Sequence, residues 1–332
     1  GGSHSGVGKT TISLGLMAAF KKRGLNVQGF KVGPDFIDPG HHSRLLGTPS
    51  RNLDGWMLSK RYNLATLSKS MYGKDLGIVE GVMGLFDGYD GRSEAGSTAQ
   101  MAKWLNSPVI LVVDASRMAR SMAALVHGFE TFDPDLRLEG VIANRVGSQK
   151  HARFLAEAME SIPNIAFLGG LPRSKEITIP ERHLGLVTSD EDPYDIEIFD
   201  KLASLMEEHL ELDKLASLPT SGVKSNDIPL PKASKSGVRL GVARDEAFCF
   251  YYQDNLDLLT HCGAELCFFS ALRDSQLPPN LAGLYLGGGY PELFARKLAE
   301  NQNLKIEILA AAEAGMPIFA ECGGFMYLTR SI

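Results

Sequence analysis

Short apolar runs alternate along this chain with longer stretches whose apolar positions recur at helical spacing. The runs at 26–32, 76–79, 109–113, 138–143 and 165–168 read as buried strands, and three of them end on a polar residue: Glu80, Asp114 and Asn144. The stretches at 12–23 and 195–214 read as helices, the second with Pro193 just ahead of it as a start signal. Residues 216–237, rich in Ser, Pro and Lys, interrupt the periodicity and read as a linker. The alternation then resumes. Strands are predicted at 238–243, 265–269, 284–286 and 317–320, and helices at 255–261 and 304–314. No internal repeat is visible. Alternating strands and helices predict parallel α/β sheets, in which ligands bind beyond the carboxyl ends of the strands. The division expected is residues 1–214, a linker at 215–237, and a second unit at 238–332.

Composition narrows the class. A length of 332 residues suggests roughly two domains. The 44% hydrophobic and 22% charged content describes an ordinary globular chain, and a net charge of −5 argues against a nucleic-acid partner. Four cysteines without C-x-x-C spacing suggest a reducing compartment instead of a disulfide framework or zinc site. With no spanning apolar run and no signal peptide, no membrane partner and a cytoplasmic location are expected. Both ends read as cut: a phosphate loop should follow a strand, and residue 332 falls within an expected helix.

Residues 1–11, GGSHSGVGKTT, carry the first chemistry. Glycines let backbone N–H groups turn toward phosphate oxygens, Lys9 reaches the terminal phosphates, and the Thr10 hydroxyl suits a magnesium ion. The following helix adds its dipole. The strict phosphate-loop pattern misses by one residue, because Ser3 stands where the first Gly belongs and Gly2 supplies it one place earlier. That longer loop resembles the dethiobiotin-synthetase and MinD branch of P-loop proteins. The candidate nucleotide contacts are Gly2, Gly6, Gly8, Lys9, Thr10 and Thr11.

Magnesium takes oxygen ligands and keeps several waters, so strand-end and loop acids are the candidates to hold it with Thr10. These are Asp35, Asp38, Glu80 and Asp87. Glu80 ends a buried strand. Asp38 reads equally well as a turn residue beside Pro39, Asp114 is a rival strand-end acid, and Lys31 is either a phosphate counter-charge or a loop cation. Asn144 either reads a purine edge or caps a turn. Cys322 follows a strand, with Ala320 and Gly324 two residues to either side. Small residues there permit a tight turn that exposes a nucleophile at a helix start, where the dipole favours thiolate. The glycines at 287–289, Gly288 and Gly289 above all, offer backbone N–H groups as an oxyanion hole. A lone cysteine is more commonly a core residue, and Cys249, Cys262 and Cys267 read that way. His261 is the one histidine of the second unit and reads as structural, so the base that a cysteine needs is expected beyond residue 332.

The segments KVGPDFIDP (31–39), VEGVMGLFDG (79–88), ARDEAFCFYY (243–252), LGGGYPE (286–292) and the Cys322 stretch resemble the cobyrinic acid a,c-diamide synthase family. The likeness covers nearly the whole chain. It implies a P-loop, dethiobiotin-synthetase-like domain followed by a truncated, flavodoxin-like class I glutamine amidotransferase domain. The implied reaction is ATP-dependent amidation of the a and c carboxylates of a tetrapyrrole through acyl phosphates, with magnesium, and with glutamine or ammonia as nitrogen donor. In that picture Lys9 and Thr10 bind phosphate and magnesium, and Asp35, Glu80 and Asp87 hold magnesium or orient the phosphoryl group. Asn144 reads adenine, Phe36 and Ile37 touch the macrocycle, and Cys322 attacks glutamine. The family often has Tyr at the position of Phe36, so that hydroxyl is absent here. Without the glutaminase histidine, residues 1–332 are expected to lack glutaminase activity. A homodimer is a family expectation. Nickel-sirohydrochlorin and hydrogenobyrinic acid are alternative substrates. Cobyric acid synthase is a sister with different segments at 286–292. A MinD/ParA-like ATPase switch is the reading from another class.

Overall fold

The computed structural model describes residues 1–173, 181–182, 185–186, 196–218, 230–231 and 237–330. Most of the expected linker, 219–229 and 232–236, lies outside the described residues. The chain divides into two compact units, one holding the described residues up to 218 and the other those from 230 onward.

The first unit opens on the phosphate loop, which leads directly into α1 (Lys9–Lys22). Then follow β1 (Val27–Val32), α2 (Ile37–Leu46), β2 (Arg51–Leu53), α3 (Lys60–Ser70) and β3 (Leu76–Glu80). The next elements are α4 (Thr98–Leu105), β4 (Val109–Asp114), α5 (Ser121–Phe132), β5 (Leu138–Val146), α6 (Gln149–Met159) and β6 (Ala166–Pro172). A short antiparallel pair, β7 (Glu181–Arg182) and β8 (Gly185–Leu186), precedes α7 (Ile196–His209) and α8 (Leu212–Ala216). Two parallel sheets result, ordered β2-β1-β3 and β4-β5-β6. Residues 1–3 run along β4: the Val112 amide donates to Gly1 and the Ser3 amide donates to Val112. On their other side the Leu85 amide donates to Gly2. A cavity of about 230 Å³, lined by Ile12, Phe20, Ile78, Met101 and Ile110, lies between α1, β3 and β4.

Core packing explains the helix positions. Ile12, Leu14, Met17 and Phe20 of α1 pack against Phe199, Leu202 and Met206 of α7. The single 195–214 helix read from sequence is two helices, with Leu210 bridging to Gly169 between them. β1 is buried along its whole length although it contains Gln28 and Lys31, so both must find partners. Gln28 donates to the Pro49 carbonyl at 2.9 Å. Lys31 faces Glu80 in register across the β1–β3 pair.

The second unit is a four-stranded parallel sheet, ordered β10-β9-β11-β12. Its elements are β9 (Val238–Ala243), α9 (Gln253–His261), β10 (Ala264–Phe269) and β11 (Gly283–Leu286). A 3₁₀ turn (Pro291–Phe294), α10 (Ala295–Glu300), α11 (Gln302–Glu313), β12 (Ile318–Ala320) and α12 (Gly323–Tyr327) complete it. Among the described residues no helix is long and apolar enough to cross a membrane.

Candidate active sites

The phosphate loop needs backbone that side chains resist. Gly8 caps α1 at φ +97°, in the left-handed region, and a Cβ there would lie 2.3 Å from the Asn144 amide nitrogen. Asn144, two residues before the end of β5, which runs past the expected end at 143, donates that amide to the Val7 carbonyl at 2.7 Å and accepts from the Arg145 amide at 2.9 Å. Next to it, Arg145 holds Asp114 with one guanidinium nitrogen and the Gly6 carbonyl, at 2.9 Å, with another. The strand-end rival acid Asp114 is thus committed to bracing the loop, and Asn144 braces it from the other side. Gly8→Ala is expected to weaken ADP binding by at least about tenfold, measured by calorimetry, because strain and clash both fall on the loop.

Four elements converge beneath the loop. Thr10, in the first turn of α1, donates to Glu80 Oε1 at 2.6 Å and lies 3.4 Å from Asp38 Oδ2. Lys31 Nζ donates to Asp38 Oδ2 at 2.5 Å and Glu80 Oε1 at 3.0 Å. His42 Nε2 donates to Glu80 Oε2 at 2.9 Å, and its Nδ1 meets Ser50 Oγ at 3.2 Å. Lys31, Asp38, His42 and Glu80 are all buried. Burial opposes the charge on Glu80, but the Lys31 ammonium and the hydrogen bonds from His42 and Thr10 outweigh it and hold the carboxyl far below the usual range. For Asp38, burial and the neighbouring Glu80 charge push the carboxyl well above the usual range, even with Lys31 beside it. Two carboxyl groups share one ammonium, and the network favours the charged form of Glu80 and opposes that of Asp38. Burial also opposes the Lys31 charge, yet Glu80, Asp38 and Asp35 raise its affinity for the proton. Lys31 is therefore a buried strand residue, not a loop cation.

The other sequence candidates are placed as follows. Asp35 accepts from the Ile37 and Asp38 amides at 2.7 and 3.1 Å, closing the first turn of α2, with its second oxygen 3.9 Å from Lys31. Asp38, and not Asp35, is the second acid beside Thr10. Asp87 accepts from the Gly84 amide at 3.0 Å within the loop after β3. That loop also receives Lys9, which donates to the Met83 carbonyl at 2.6 Å. Phe36 and Ile37 are half-buried at the start of α2, Thr11 is half-buried in α1, and Gly2 bridges to Val112. His42 escaped the sequence reading. Its signal was its i+4 spacing from Asp38 on α2, which puts both on the face toward β1.

In the second unit, Cys322 stands between β12 and α12 with φ 49° and ψ −118°, a strained conformation for a non-glycine residue, and it is exposed. The Gly324 amide donates to the Gly287 carbonyl at 2.9 Å, and a Cβ on Gly324 would lie 2.2 Å from the Leu286 carbonyl oxygen. Only glycine admits this close turn against the end of β11. Gly288 lies against the cysteine, where an added Cβ would come 3.3 Å from the Cys322 Cβ. Tyr251 takes up the Gly287 amide at 2.8 Å, and Gly288 forms an antiparallel bridge with Phe250, whose amide donates to the Gly288 carbonyl at 3.0 Å. His261 Nε2 donates to the Pro231 carbonyl at 3.0 Å.

Comparison with known proteins agrees with both halves. The CobQ/CobB/MinD/ParA nucleotide binding domain matches residues 2–187, and the CobB/CobQ-like glutamine amidotransferase domain matches residues 239–332. The cobyrinate a,c-diamide synthase of Dehalococcoides mccartyi (strain ATCC BAA-2266 / KCTC 15142 / 195) is 44% identical over 336 residues, covering 100% of this chain and 73% of that protein. Those of Syntrophotalea carbinolica and Archaeoglobus fulgidus are 47% and 45% identical, each over 100% of this chain and 72% of the relative. With a nucleotide-type loop in one unit, an elbow-mounted cysteine in the other, and likeness running through both, the chain belongs to the cobyrinate a,c-diamide synthase family of glutamine-dependent amide-forming ligases.

Proposed function

We infer that this chain converts the a and c carboxylates of cobyrinate, or of a closely related tetrapyrrole, to amides in corrinoid synthesis, at the expense of ATP. The observation that carries this reading is the Thr10–Glu80–Lys31 cluster beneath the phosphate loop, in a chain alike to its named relatives from end to end. A carboxylate is a poor acyl donor, and phosphorylation turns its oxygen into a leaving group. The acceptor carboxylate oxygen attacks the γ-phosphorus and ADP leaves. Ammonia then adds to the acyl carbon and phosphate departs with the C–O bond electrons.

The residues divide this work. Lys9 exchanges its Met83 carbonyl contact for phosphate oxygens, and the Gly6 to Thr11 backbone cradles them. The donor set at Thr10, Glu80 and Asp38 is all oxygen and suits magnesium. An ion held there would neutralise charge on the transferring phosphoryl group. Asp35 and Asp87 orient the loops on either side, and Phe36 and Ile37 contact the acceptor. In the full-length protein Cys322 attacks the glutamine amide carbon, the Gly288 and Gly289 amides hold the oxyanion, ammonia leaves as the thioester forms, and water then hydrolyses that thioester to glutamate.

The test is ADP release by the full-length protein with MgATP and ammonium, with and without cobyrinic acid, followed by mass analysis of the tetrapyrrole. A gain of two amides, lost in Lys9→Ala, is the expected result. Turnover on sirohydrochlorin species alone changes the pathway and keeps the mechanism. ATP turnover indifferent to every tetrapyrrole overturns the reading.

A further inference from the structure

A large aromatic side chain left in water forgoes its burial energy, so several of them held together on a rigid support mark a contact site. Trp56 and Tyr89 form such a pair. Their rings stack with centroids 3.9 Å apart and planes 13° from parallel, yet they stay 57% and 66% exposed. Met57 beside them is 54% exposed.

The support is built, not incidental. Trp56 follows β2 on a turn in which Asp54 Oδ1 accepts from the Trp56 and Met57 amides, both at 2.7 Å. Asp54 is itself held at both ends of its peptide by the buried Asn63 side chain, at 2.8 Å each. Tyr89 lies on the loop between β3 and α4, and its amide donates to the Ala95 carbonyl at 2.8 Å. The Gln100 side chain ties that loop to the Trp56 turn. Its oxygen accepts from the Gly96 amide at 3.0 Å, and it lies where a Cβ on Gly55 would come within 2.3 Å.

Both supporting segments run back to the phosphoryl-transfer groups. On one, the Asn52 amide side chain donates to the Gly33 and Asp35 carbonyls at 2.9 and 2.7 Å. The other starts at Glu80, receives Lys9 at Met83, and carries Asp87 two residues before Tyr89. An acceptor carboxylate presented to those groups brings its ring with it. On a tetrapyrrole such as cobyrinic acid that ring is broad, presents apolar ring carbons and methyl groups, and carries further carboxylates on side chains at its rim. Arg92, exposed on the Tyr89 loop and without an ion pair among the described residues, supplies a counter-charge of the sign such a rim needs.

We propose that the Trp56–Tyr89 stack is the platform on which the apolar face of the tetrapyrrole acceptor rests. This rests on the amidation reading above, and its occupant is that substrate and not a second protein. Trp56→Ala raises KM for cobyrinic acid by about tenfold or more, with KM for ATP and ammonium unchanged within about twofold. Trp56→Phe, which keeps a flat apolar ring, restores the value to within about threefold. Direct binding is read in Trp104→Phe, where Trp56 is the single tryptophan of these 332 residues: cobyrinic acid quenches its fluorescence to saturation. Tyr89→Ala provides an independent second variant. If the wild-type enzyme amidates cobyrinic acid while Trp56→Ala and Tyr89→Ala keep its KM, the platform assignment falls and the amidation reading stands. If those variants instead lose self-association in sedimentation with KM unchanged, the stack is an interface between copies and the assignment is overturned. If wild-type ATP turnover ignores tetrapyrroles altogether, the amidation reading itself has failed.

Discussion

Cys322→Ala in the full-length enzyme is expected to abolish glutamine-supported amide formation, a loss of at least about 10⁴-fold, while the ammonium-supported rate stays within about twofold of wild type. The thiol stands at the elbow between β12 and α12, and its strained backbone holds it exposed against Gly288. Removing the sulfur removes the group that the proposed reaction uses to attack glutamine. The synthetase groups all lie on other elements, so supplied ammonia bypasses the loss. The check is amide formation measured with each nitrogen donor in turn. Equal loss with both donors would mean that Cys322 supports the fold and not glutamine hydrolysis.

Glu80→Gln carries the second large effect, and it splits into chemistry and stability. An amide still accepts from Thr10 but removes the negative charge beneath the phosphate loop. We expect kcat for ADP release to fall by about 10²- to 10³-fold. The same change leaves the Lys31 ammonium, 4% exposed at its side chain, with the Asp38 carboxyl as its remaining close partner. Breaking a buried ion pair from one side costs about 3–5 kcal/mol, so the melting temperature should drop as well. Adding Lys31→Met removes the stranded charge. The double variant should recover part of that stability and none of the activity, a pattern that a simple packing defect would not give.

The pH dependence follows from the same network. Glu80 is held below its unfolded value, so its contribution is fully present above about pH 4.5 and is lost only as pH falls through its much lower folded value. Lys31 is held above its unfolded value, so its contribution is present below about pH 10.5 and is lost as pH rises through its folded value. Asp38 has the opposite sense for a carboxyl. Its raised affinity for protons means that stability declines as pH rises from about 3.8 toward its folded value. Thermal melts across pH should therefore show acid loss of the Glu80 term beginning lower in wild type than in Asp38→Asn.

Particular residues show how far the chain could be read in advance. The phosphate loop was legible because GKTT leads straight into an apolar helical period, and Glu80 because it ends a buried run. The elbow at Cys322 was legible because Gly324 and the glycines at 287–289 have few other uses in such a pattern. His42 was not, because the second of two adjacent histidines in DPGHH carries no local mark of the carboxylate it will meet 38 residues later. Asp38 read equally as a turn residue, and the choice between it and Asp35 depends on which one the first turn of α2 uses as its cap. Asp114 competed with Glu80 on sequence grounds until Arg145, adjacent to its register partner Asn144, claimed it. The Trp56–Tyr89 stack joins residues 33 positions apart through Gln100, a contact that no periodicity encodes.

By itself, then, the sequence determined the periods, the turn residues and the reactive side-chain types, because strands, helices and tight turns each impose local rules on which residues they accept. The tertiary structure decided pairing: that Lys31 faces Glu80 across two parallel strands, that His42 caps the same carboxylate, and that one acid of each competing pair is committed elsewhere. The physical reason is that a buried charge is tolerable only with partners, and those partners come from different segments whose meeting is set by sheet order and register.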